Sequence, residues 1–157
     1  VELIGFGEEN DSISDKVHGL AVALIAAGDH AGVVRALYSH LGGAFAVPHV
    51  GMRLWGLGVG GGAECDPVSG ELMAFAAGLT KPYCGPAAGQ EALGWFGAAG
   101  SQLRSVAQVP LREAGGLSFG LLVMASEEPT RFYPELGPLY LERIGEMAAA
   151  ALLRVAA

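Results

Sequence analysis

The strongest constraint in this chain is the stretch 117–126, which is apolar at almost every position. A strand with one wet face alternates apolar and polar residues; a strand apolar throughout has to be covered on both sides. Just before it, residues 105–112 alternate as a strand, and Glu113, Ala114, Gly115 and Gly116 make a tight turn. Two strands this close in sequence, joined through glycines, form an antiparallel hairpin. The chain must therefore supply cover for two faces of a sheet. The apolar run is far shorter than the roughly 20 residues a membrane helix needs, so the mean hydropathy of +0.41 reflects core rather than a span.

The remaining elements follow from spacing. Ser12-Ile13-Ser14-Asp15 reads as a capping-box start, with Asp15 in place of the usual Glu, followed by Ile13, Val17, Leu20 and Leu24 at helical spacing. Asp29 caps a second helix with Val33, Leu37 and Leu41 on its apolar face, ended by Gly42-Gly43. Residues 46–55 alternate as a strand, with Pro48 at its start or on an edge. Residues 70–79 and 90–96 read as short helices, and 82–86 (Pro82-Tyr83-Cys84-Gly85-Pro86) as a rigid turn. Leu136, Leu139, Tyr140, Ile144, Met147, Ala151, Leu152 and Val155 define a long C-terminal helix. The expected order is α-α-β-(α, α)-β-β-α. Terminal helices then cover one face and the glycine-rich midsection the other, with a cavity between the sheet and that midsection. Residues 1–11 read as the end of an upstream helical segment or a linker, and 12–157 as one domain.

Charge excludes several partners. The chain of 157 residues has 9 basic and 16 acidic side chains, a net charge of −7. Its basic residues do not cluster. Such a domain is repelled by phosphate backbones and anionic membranes, so neither nucleic acid nor membrane is expected as a partner. Val1 to Ile4 lack the basic and long apolar regions of a signal peptide, which points to the cytoplasm. In that compartment Cys65 and Cys84 read as two thiols rather than a bridge.

Few motifs carry chemistry. Gly56, Gly58 and Gly61 match G-x-G-x-x-G, but Ala63-Glu64-Cys65-Asp66-Pro67 opens no helix, so the dinucleotide reading gives way to a loop. His18, His30, His40 and His49 lack ligand spacing, and no closed metal site is readable. Ser118 and Ser126 have no nucleophile-elbow context. The neighbouring carboxylates Glu8-Glu9 and Glu127-Glu128 point apart and read as solvated charge. Cys84 is either a small apolar anchor of its turn or, given a nearby dipole or cation, a reactive thiol. Arg131 beside Phe132 and Tyr133 either clamps an anion or caps local carbonyls while the aromatics pin the loop.

Four stretches together resemble the DUF484 family of bacterial proteins of unknown function: Gly7-Glu8-Glu9-Asn10-Asp11, Tyr83-Cys84-Gly85-Pro86, Val109-Pro110-Leu111, and Gly120-Leu121-Leu122 followed by Ser126-Glu127-Glu128-Pro129-Thr130-Arg131-Phe132-Tyr133-Pro134. The resemblance covers the chain from about residue 7 onward. It implies an α+β, GAF-like fold: an antiparallel sheet with N- and C-terminal helices on one face and short helices and loops on the other. It also implies an upstream coiled-coil-like segment, and either small-molecule binding in the cavity or dimerisation through the terminal helices. It carries no reaction and no cofactor.

The resulting expectation is a non-enzymatic sensory or regulatory module, a homodimer with a possible small-molecule ligand. Arg53, Trp55, Tyr83, Cys84, Gln108, Ser126, Arg131 and Phe132 are its candidate lining residues. Arg53 and Trp55 share one strand face. Two alternatives stand beside it. One is a cysteine-dependent reductase of the free methionine sulfoxide type, with Cys84 and Cys65 as attacking and resolving thiols. The other is an interaction scaffold with no ligand.

Overall fold

The hairpin forms the middle of a four-stranded antiparallel sheet. In the computed structural model, which describes residues 2–57, 62–114, 116–132 and 139–156, the strands are β1 (His49–Leu54), β2 (Tyr83–Pro86), β3 (Ser105–Arg112) and β4 (Ser118–Ser126). Their order is β1-β4-β3-β2, antiparallel at every step. The helices are α1 (Glu2–Ala26), α2 (His30–Gly42), α3 (Gly70–Gly78) and α4 (Leu139–Ala156). The chain is of the α+β class. No helix among the described residues is long and apolar enough to cross a membrane.

Both faces of the hairpin are roofed, as its composition requires. On one face Ala107, Val109 and Leu111 of β3 and Leu122 and Met124 of β4 pack with Leu20 and Leu24 of α1, Val33, Leu37 and Leu41 of α2, and Ile144, Ala148 and Leu152 of α4. On the other, Val106, Leu121, Val123 and Ala125 pack with Leu72 and Ala76 of α3 and with Ala87, Ala92 and Leu103. Phe75, Trp95 and Phe96 close over this second cluster. The alternation of β4 between the two clusters is the period-2 geometry of a strand, with apolar side chains delivered to each side.

The local signals at the ends of elements are visible in the structure. Asp29 caps α2, its carboxylate accepting from the Gly32 N–H at 2.8 Å. Ser69 caps α3 by accepting from Leu72 N–H at 3.0 Å. In the β3–β4 turn, Glu113 N–H donates to Leu117 C=O at 2.8 Å. Gly116 sits there at φ +92°, a conformation that favours glycine.

Three expectations are corrected. The first helix does not start at Ser12: α1 runs unbroken from Glu2. A capping residue favours a start but does not impose one where the preceding residues, here without proline, continue the helix. Residues 82–86 are not only a turn, because Tyr83–Pro86 pair with Gln108–Ser105 as an edge strand. Four residues ending in Pro86 show too little alternation to be recognised, and an edge is where proline is tolerated. The segment 90–96 is no short α-helix but part of a 3-10 stretch, Glu91–Gln102, broken at Gly97 with φ 59°. A second 3-10 turn, Ala63–Cys65, follows the glycine loop. Gly58 to Gly61 of that loop, Gly115, Tyr133, Pro134 and Leu136 lie outside the described residues.

Candidate functional site

The eight candidate lining residues do not share one cavity; the alternation of the strands divides them. Tyr83 and Gln108 are register partners on β2 and β3, and with Arg53 and Trp55 they lie on the midsection side. Trp55 and Tyr83 pack against the second apolar cluster. The Arg53 guanidinium lies 4.7 Å from the Trp95 ring centroid, a cation–π stack, and donates to the Met52 carbonyl at 2.9 Å. Gln108 is 1% exposed and donates to the side-chain oxygen of Gln90 at 2.9 Å. This face is tightly covered: a Cβ on Gly51 would sit 3.2 Å from both Trp95 and Phe96. The glycine is what lets the two rings lie on the strand.

Cys84 points the other way, into the cluster formed with α1, α2 and α4. Burial pushes its thiol pKa up. Cys65 lies in the 3-10 turn, and its pKa is raised by burial and by the neighbouring Glu64 and Asp66 carboxylates. The two cysteines are not bridged to one another. Thiolate chemistry needs the opposite environment, a cation or helix dipole that lowers the pKa.

Ser126 is buried at the end of β4, and its hydroxyl accepts from Glu128 N–H at 3.0 Å. It shapes the loop that carries Arg131 and Phe132. Arg131 donates to the carbonyls of Phe45 at 2.7 Å and Ala46 at 3.2 Å. Ala46 holds φ 54°, a conformation rare for a residue with a Cβ, so Arg131 clamps a strained corner between α2 and β1. Phe132 is buried in the first cluster, and the guanidinium lies 5.4 Å from its ring centroid. Arg131 and Phe132 do line a cavity of about 240 Å³, between α1, α4 and the sheet. Lys16 joins Arg131 there over a floor that includes Met124 and Ile144. A second cavity, about 250 Å³, opens between the β2–β3 edge and α4 beside Lys81, Arg112 and Glu142. Arg112 itself is engaged with the carbonyls of Ala76, Ala77 and Leu79, closing the C-terminus of α3.

One cluster has no counterpart in the sequence reading. His30, Glu64 and Cys65 place their ligand-capable atoms within 4.8 Å of one another. His30 Nε2 is 3.2 Å from Glu64 Oε1, each side chain 13% exposed. Residues 34 positions apart meet only because the 3-10 turn folds back on the start of α2, and no spacing rule signals that.

Between α1 and α4 the surface is apolar. Ala21, Leu24 and Ile25 face Met147, Ala150 and Ala151 across a groove, and Val22 and Ile25 stand 53% and 77% exposed. Small alanines on both helices let them approach closely while leaving this furrow open.

No curated protein matches the chain. The family model described as "Protein of unknown function, DUF484" matches residues 2–156, essentially the full length, and the chain belongs to that family.

Proposed function

We propose that this chain is a non-enzymatic, GAF-like sensory or regulatory module that dimerises through α1 and α4 and takes a small molecule between its helices and sheet. The carrying observation is the apolar groove between those helices, with Val22 and Ile25 held in water beside it. Covering a large aliphatic side chain is worth about 1.5–3 kcal/mol. A second copy presenting the same helices covers both sets at once, as a two-fold interface requires. The cavity beside Phe132 supplies an apolar floor with Lys16 and Arg131 at its rim, a composition suited to a small molecule carrying a negative group. The raised pKa values of both thiols favour this reading over the cysteine-dependent reductase.

Light scattering at tens of micromolar tests the assembly. The dimer mass is expected for the native chain and the monomer mass for Ile25→Glu; a clean native monomer refutes the interface. A thermal-shift screen of small anions tests the ligand. A true ligand at 100 times its dissociation constant stabilises by about 2.7 kcal/mol, whereas a flat response supports a scaffold without one. Methionine sulfoxide reduction that disappears in Cys84→Ala would replace the proposal with the reductase.

A further inference from the structure

We propose that His30, Glu64 and Cys65 form a binding site for a divalent transition-metal ion of the zinc class. The site is built from two elements that the fold brings together, the first residue of α2 and the 3-10 turn Ala63–Cys65. Three observations carry it. The first is distance: the three ligand atoms lie within 4.8 Å of one another. Zinc–ligand bonds of about 2.0–2.3 Å in a tetrahedral site put neighbouring donors about 3.3–3.8 Å apart. Closure by about 1 Å, a side-chain adjustment, brings the present arrangement to that geometry.

The second is the histidine. Its Nδ1 is buried with no hydrogen-bond partner, while Nε2 faces the Glu64 carboxylate. With the proton on Nδ1, the Nε2 lone pair lies 3.2 Å from the Glu64 oxygen, close to the spacing of two neighbouring ligands on one tetrahedral ion, so a cation between them is held by both.

The third is the donor set and its charge. One nitrogen, one carboxylate oxygen and one sulfur suit a borderline-soft divalent ion rather than magnesium or calcium, which take oxygen donors. Asp29 and Glu64 line the adjoining surface pocket against the single cation Arg35, and Asp66 follows the cysteine directly. A cation entering there meets a negative field. Three protein ligands leave a fourth position for water or for a ligand group.

The test uses the chelator-treated chain, residues 1–157, titrated with Co²⁺ and then with Zn²⁺. Saturation at one Co²⁺ per chain is expected, with a near-ultraviolet thiolate-to-cobalt band that Zn²⁺ displaces. Cys65→Ser removes the band, and Cys65→Ser and His30→Ala each weaken Zn²⁺ binding by at least about tenfold. Cys84→Ser, on β2 at the opposite edge of the sheet from β1, leaves band and affinity unchanged. Absence of saturable Co²⁺ binding to the native chain overturns the proposal and leaves His30 and Glu64 as an ion pair only. Binding without a thiolate band, or unaffected by Cys65→Ser, overturns it as well. The native-chain spectrum decides even if a variant fails to fold.

Discussion

Leu121 and Leu122 are neighbours on β4 with opposite destinations, and replacing each by alanine measures the two faces of the sheet separately. Leu121 is 0% exposed and packs in the cluster under α3 and the midsection; Leu122 is 1% exposed and packs under α1, α2 and α4. The truncation removes about three methylene equivalents, about 2.4 kcal/mol at ~0.8 kcal/mol each. If the surroundings collapse over half of the vacated volume, a residual cavity of about 40 Å³ adds about 1 kcal/mol at ~24 cal/mol per Å³. Each variant is therefore expected to lose about 3.5 kcal/mol. With a urea slope of about 2 kcal/mol/M for a small domain, the midpoint falls by about 1.7 M. Unfolding followed by circular dichroism and tryptophan fluorescence reads this directly. Leu117→Ala, at a position 70% exposed, is the control and stays within about 0.5 kcal/mol of the native chain. A loss below about 1 kcal/mol for Leu121 or Leu122 means that the corresponding face is open to water, and the two-roofed sheet is then wrong.

Two further outcomes follow from packing and burial. Gly120→Val on β4 is expected to cost about 1–3 kcal/mol in the same urea assay. Its Cβ alone would lie 2.8 Å from Leu54 Cδ2 and 2.9 Å from the Arg53 carbonyl; unchanged stability refutes that close approach of β1 and β4. For Cys84, the folded pKa is raised by burial above its unfolded value, so the unfolded state loses its proton first as pH increases. The contribution is complete below the unfolded pKa and is lost as pH rises through the folded one. Stability should thus decline on the alkaline side, and less steeply in Cys84→Ala; parallel pH profiles for the two proteins contradict the burial argument.

Much of the fold was legible because its signals are local. The uninterrupted apolar run of β4, the glycine turn before it and the alternation of 105–112 specify a hairpin that needs two covers. Asp29 and the glycines after Leu41 mark the limits of α2 through backbone groups only a few residues away. The edge strand Tyr83–Pro86 carries no strand signal of its own because it is short and rich in turn residues, and it becomes a strand only when β3 offers unpaired backbone groups. The start of α1 departs from the capping signal at Ser12 for a related reason: a capping pattern competes with helix propagation, and propagation wins where nothing breaks it.

The candidate site divides along the same line. Residue chemistry alone marked Arg53, Trp55, Tyr83, Cys84, Gln108, Ser126, Arg131 and Phe132 as polar, aromatic or reactive side chains near the sheet. The parity of each position along its strand then decided the rest. It sent Cys84 into the helical cluster and Tyr83 and Gln108 to the midsection, and the turn into β1 recruited Arg131 as a clamp. Conversely, His30, Glu64 and Cys65 carry no shared pattern in the sequence. Their meeting depends on how the 3-10 turn lies against α2. Hydrophobic periodicity acts over a few residues and is written into the chain itself, so the roofed sheet could be inferred from it. Long-range juxtaposition of polar side chains arises only when the apolar faces have packed, and only the tertiary structure decides it.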